Sequence, residues 1–80
     1  MDNLNIGELI AHIESEYDEI ETGVLTGDSK FKELIHWNSM NSLVMIVMVE
    51  YEYKVIINEN DLRNAHTIKD LADLITAKKN

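Results

Sequence analysis

From Asn38 to Lys54 the chain runs without a glycine or a proline, and at its centre stand seven consecutive apolar residues, Leu43-Val44-Met45-Ile46-Val47-Met48-Val49. The β-branched content and the alternation of Tyr51, Tyr53 and Val55 favour a strand locally. Sixteen residues from Asn38 to Tyr53 without a turn signal nevertheless exceed a usual strand and suit a buried helix. This helix is expected to start near Asn38 or Ser39 and to reach about Tyr53. Any fold open to the chain has to be built around it, because 80 residues leave room for one core only. A chain of this size hides about 60–65% of the surface its unfolded form exposes, so a single layer of packed elements is the limit and a deep catalytic cleft is not expected. The absence of cysteine removes disulfide staples, thiolate nucleophiles and Cys-based metal sites.

The remaining segments follow the same helical logic. Between Leu4 and Ile20 the apolar residues Ile6, Leu9, Ile10, Ile13, Tyr17 and Ile20 recur at steps of three and four, with Glu8, Glu14, Glu16, Asp18 and Glu19 on the other face, which predicts a first amphipathic helix. Glu21 to Ser29 breaks the period with two glycines among Thr, Asp and Ser, and reads as a loop. Phe31, Leu34, Ile35 and Trp37 are too apolar for a free linker and are expected to pack back over the helices through one short helical turn. Val55-Ile56-Ile57 reads as extended, and Asn58 to Asp61 offers caps for a brief helix through Leu62 and Ala65. Thr67-Ile68-Lys69-Asp70 reads as a capping box ahead of Ile68, Leu71, Ala72, Leu74 and Ile75, a last helix whose end carries Lys78 and Lys79 at the negative pole of its dipole. The fold class is therefore all-α: a small four-helix bundle of three main helices and one short one, with a long loop between helices one and two, in a single domain over 1–80.

Fifteen acids against seven bases give a net charge of −8. That balance excludes a nucleic-acid partner, since phosphate neutralisation needs clustered Lys and Arg, and favours basic protein surfaces instead. Met1-Asp2-Asn3-Leu4 lacks the basic start of a secretory signal, and no apolar run approaches the roughly 18 residues that span a bilayer. A cytoplasmic monomer with no membrane insertion is the expectation.

Chemistry-bearing patterns are few. His12, His36 and His66 stand singly, without a carboxylate partner at zinc-ligand spacing, so no metal site is expected. Asn58 to Asp61 resembles the start of a calcium loop, but Arg63 and Lys69 occupy the places where such a loop needs glycine and a bidentate Glu. Ser39 has neither a visible base nor the glycine-flanked elbow of a hydrolase serine. It does stand at the expected first turn of the second helix, behind Asn38 and Trp37. If Asn38 takes the cap, Ser39 is freed from backbone duty and its hydroxyl can face solvent, where helix N–H groups and dipole favour a phosphate. The competing reading is that Ser39 is itself an ordinary N-cap.

The run Asn38-Ser39-Met40-Asn41-Ser42-Leu43, the apolar helix after it, Glu50-Tyr51-Glu52-Tyr53, Val55-Ile56-Ile57 and Thr67-Ile68-Lys69-Asp70-Leu71 together resemble the acyl carrier protein family. The likeness is ungapped from Asn38 through Asp61, while the first helix and loop agree in length and character only. The family signature is Asp-Ser-Leu on a four-helix bundle. The resemblance therefore implies that Ser39 carries a covalent 4′-phosphopantetheine, with Asn38 and Met40 at the flanking signature positions. It implies a phosphoprotein without catalysis of its own that holds acyl groups as thioesters for fatty-acid, polyketide or related specialised lipid pathways. Its partners would be a phosphopantetheinyl transferase and acyl-transferring and condensing enzymes. Asn38, Asn41 and Val44 stand where the family often has acids. An aminoacyl or peptidyl carrier is a second reading within the class, and an unmodified helical interaction module that keeps the fold is a third from outside it.

Helical spacing assigns Leu43, Ile46, Val49 and Tyr53 to the inward stripe of the second helix. Met40, Val44, Val47, Met48 and Tyr51 then lie on another side. With Asn41, and with Glu50 and Glu52 as peripheral charges, they form the expected partner-binding surface, apolar where the family is acidic. Met40, Met45 and Met48 could also repack to admit an acyl chain, plain core filling being the alternative.

Overall fold

A computed structural model describes residues 4–79, so the expectation drawn from Met1, Asp2 and Asn3 lies outside the described residues. The first helix, α1, spans Ile6–Glu16, with the Asn5 side chain accepting from the Glu8 N–H at 3.0 Å. It ends earlier than the Leu4–Ile20 periodicity predicts, although Tyr17 and Ile20 remain buried. The reason is electrostatic: Glu14, Glu16, Asp18 and Glu19 crowd the negative pole of the helix, where carboxylates are unfavourable. Two of these acids bind loop backbone instead. Glu14 accepts from Gly23 N–H at 2.9 Å and Glu19 from His36 N–H at 2.8 Å. Gly23 adopts φ 91°, a left-handed conformation that a side chain would strain.

The long loop leads into α2, the single turn Phe31–Leu34, which buries Phe31 and passes on to buried Ile35. Leu34, expected to pack inward, is exposed; Phe31 and Ile35, both buried, carry the inward packing of this segment. Helix α3 spans Ser39–Tyr53, the range the apolar run predicts. It stops at Lys54, which takes the left-handed conformation (φ 59°) and gives its N–H to Glu50 O, a cap more usual for glycine.

The rotation of α3 about its axis departs from expectation. Its buried residues are Ser42, Met45, Met48, Val49 and Tyr53. Leu43, predicted inward, is exposed, and Met48, predicted on the partner face, is 4% exposed and part of the core. A helix that is apolar nearly all round carries little phase information, so its neighbours choose the face that turns in.

After residues 54–58, which belong to neither helix nor strand, α4 spans Glu59–Arg63 behind a reciprocal Asn58–Asp61 capping box. Helix α5 spans Ile68–Lys79, with Asp70 N–H donating to Thr67 Oγ1 and Thr67 N–H to the Asp70 carboxylate. Loop carbonyls of Ser29 and Gly27 accept from the Ile68 and Lys69 N–H groups, so the long loop also caps α5. Helix α1 packs on α3 and α5, and α3 packs on α4. Leu9, Ile13, Phe31, Met45, Val49, Leu71 and Ile75 are wholly excluded from solvent where these elements meet. The architecture is the all-α bundle expected, with α2 as an additional turn and no strand among the described residues.

Candidate functional site

Asn38 has extended backbone (φ −153°, ψ −179°), and its side-chain oxygen accepts from Asn41 N–H at 2.8 Å. Asn38, not Ser39, is therefore the N-cap of α3. Ser39 is the first helical residue; it is exposed, and its hydroxyl has no hydrogen-bond partner among the described residues. The Ser39 and Met40 N–H groups, at the first two helical positions, have no intrahelical acceptor. An oxyanion attached at Ser39 would meet these donors and the positive end of a 15-residue helix. No acid stands in the first turn to oppose it.

The segment before the serine is held from three sides. Trp37 is half-buried and meets Phe31 edge-on, with centroids 5.6 Å apart. The Lys32 ammonium lies 5.7 Å from the Trp37 ring and 5.9 Å from Phe31, and donates to Leu62 O at the end of α4. Burial, then nearby Arg63, lowers its pKa below the ordinary lysine value. The Asn41 amide donates to His36 O at 2.6 Å, closing the backbone around residues 36–41. From below, the Tyr17 hydroxyl donates to Asn41 O at 2.6 Å. Burial, then Glu16 and Glu19, raises the Tyr17 pKa, so the phenol stays protonated and remains a donor.

Beside the serine the surface of α3 is oil. Met40 is 72% exposed, Leu43 57%, Val47 54% and Tyr51 73%, and Val44 is half-buried between them. Together with Glu16 of α1, Met48 and Glu52 they line a groove of about 440 Å³. A second groove of about 570 Å³ continues from Val47 and Tyr51 to Glu50, Lys54 and Ile56. The expected partner residues thus divide. Met40, Val44, Val47, Tyr51, Glu50 and Glu52 border this surface, Asn41 serves the backbone, and Met48 only floors the groove from the core. Sequence reasoning missed Leu43, whose exposure no local signal marks, and Tyr17, read as a core residue only. Ile56 was also missed, although the alternation Val55-Ile56-Ile57 in an extended segment has to turn one of the three outward.

Among the described residues no cluster of His, Asp or Glu is arranged to hold a metal ion. Asn58 to Asp61 is a helix cap, and Asp61 pairs with Lys78 at 3.3 Å. Among those residues no helix is long and apolar enough to cross a membrane.

No protein-family model matches the chain. It is 28% identical over 57 residues to an acyl carrier protein of Aster yellows witches'-broom phytoplasma (strain AYWB), covering 71% of this chain and 75% of that protein. Its fold matches the solution NMR structure of a holo acyl carrier protein from Geobacter metallireducens with a TM-score of 0.73. That match has 26% sequence identity and covers 92% of this chain and 84% of that one.

Proposed function

We propose, from the premise that this chain is an acyl-carrier-like protein, that it carries acyl groups as thioesters on a 4′-phosphopantetheine arm attached to Ser39. The observation that carries the reading is the division of labour at the start of α3. Asn38 satisfies the helix end, and the next residue is an exposed serine whose hydroxyl has no hydrogen-bond partner among the described residues. The arm supplies a thiol on a long flexible tether. What the chain supplies is a fixed anchor, N–H donors near the phosphate and a docking surface. Such a protein is a carrier and not an enzyme. Tethering raises the effective concentration of the cargo at a docked enzyme.

Fatty-acid, polyketide and related specialised pathways all use this chemistry, and the apolar face of α3 favours a specialised one. A phosphopantetheinyl transferase and acyl-handling enzymes are the partners that the reading requires, with a cytoplasmic monomer as the working form. The test is intact-mass analysis of the protein isolated from its own cell. An increment equal to one phosphopantetheine, absent from Ser39→Ala, is the expected result. Unmodified protein from cells that modify their other carriers would favour a helical interaction module instead.

A further inference from the structure

The geometry points to a specific docking chemistry: the enzyme that loads Ser39 seats apolar side chains in the groove between α1 and α3, and charges contribute only at its margin. The inference rests on the carrier reading and goes beyond it by naming what recognises the serine. A protein that brings a reacting group to the Ser39 hydroxyl has to cover the ground next to it. Along α3 that ground is Met40, then Leu43 and Val47, then Tyr51, all more than half exposed. From Ser39 to Tyr51 the stripe runs about 18 Å at the usual helical rise, long enough to receive a helix or loop. Exposed apolar surface of this kind is uncommon on a small monomer and marks contact sites.

The arrangement of charge selects the partner's chemistry. The first turn of α3 has no acid. Glu16 and Glu52 line the near groove from its edges, Glu50 stands by the far one, and Glu52 already faces His12 at 3.7 Å. A complementary surface has aliphatic or aromatic side chains at its centre and one or two Lys or Arg at its rim. Binding governed by ion pairs weakens as salt screens them, whereas apolar burial does not.

The experiment measures loading of Ser39 in the full chain by a phosphopantetheinyl transferase from the same organism, following intact mass against time. Leu43→Ala and Val47→Ala are each expected to raise KM about five-fold or more with kcat unchanged, since truncating a central apolar contact weakens binding by roughly that factor or more. Val47→Ile should restore it. Glu16→Gln, Glu50→Gln and Glu52→Gln are expected to change KM by less than about two-fold, and raising NaCl from about 0.05 to about 0.5 M should leave KM level or lower it. Both apolar positions are exposed, and thermal melts of the variants verify that they fold. A KM that climbs steeply with salt, or that responds to the acids more than to Leu43 and Val47, overturns the proposal. So does a dimer in sedimentation that Val47→Ala dissolves while loading is unaffected, since the groove's occupant is then a second copy. A transferase that loads other carriers but never Ser39 removes the carrier reading itself.

Discussion

Ser42 provides the sharpest test of the packing. It is 1% exposed on the inner face of α3, and its hydroxyl has no hydrogen-bond partner among the described residues. Replacing it with alanine removes a buried polar group that the fold leaves unsatisfied, worth about 1–3 kcal/mol in protein mutational data. Alanine also improves helix propensity by about 0.5 kcal/mol. Against this stands the small void left by one oxygen, about 0.3 kcal/mol at 24 cal/mol per Å³. The balance is a gain of about 1–3 kcal/mol, opposite in sign to the average substitution. In a domain of this size that raises Tm by about 4–8 °C for each kcal/mol. Urea titration at constant m, with thermal melts alongside, reads the change directly. A loss of about 1 kcal/mol or more would refute the reasoning, because it would mean the hydroxyl is hydrogen-bonded in solution.

Three further outcomes are expected. Asn38→Ala should lower stability by about 1 kcal/mol in urea titration while Asn38→Asp holds it, since only the alanine loses the bond to Asn41 N–H. Lys54→Gly should raise stability by about 1 kcal/mol by relieving a left-handed residue, read from the same titration. Burial, then Glu8 and Glu52, pushes the Tyr53 hydroxyl up to about 12 from an ordinary 10. The unfolded chain therefore loses this proton first, so Tm should fall as pH rises from 10 toward 12, and less steeply in Tyr53→Phe.

Much of this fold is written in local signals. The Thr67–Asp70 capping box, the turn residues between Glu21 and Ser29, and the Asn38–Ser39 start of α3 each rest on interactions within four residues, which a sequence displays. What escaped depends on partners distant along the chain. The inward face of α3 was misassigned at Leu43 and Met48 because seven apolar residues in a row leave the choice to α1 and α4, and it settled with a serine facing in. The early end of α1 was obscured because Tyr17 and Ile20 keep helical spacing while lying on non-helical backbone. The Asn38 cap that leaves Ser39 exposed was legible for the same local reason. The site's supports, the Tyr17 hydroxyl on Asn41 and the Glu19 carboxylate on His36, span 24 and 17 residues of separation and have no local signature.

Those two long-range bonds link the start of α3 to the end of α1. While α1 is undocked, the bend at residues 36–41 loses these two fastenings and keeps the Trp37 packing, so Ser39 is held less firmly. An enzyme that reads shape would then find its target only on finished molecules. On the carrier reading proposed above, loading thus proofreads folding, sparing half-built or nicked copies an arm that they could never present.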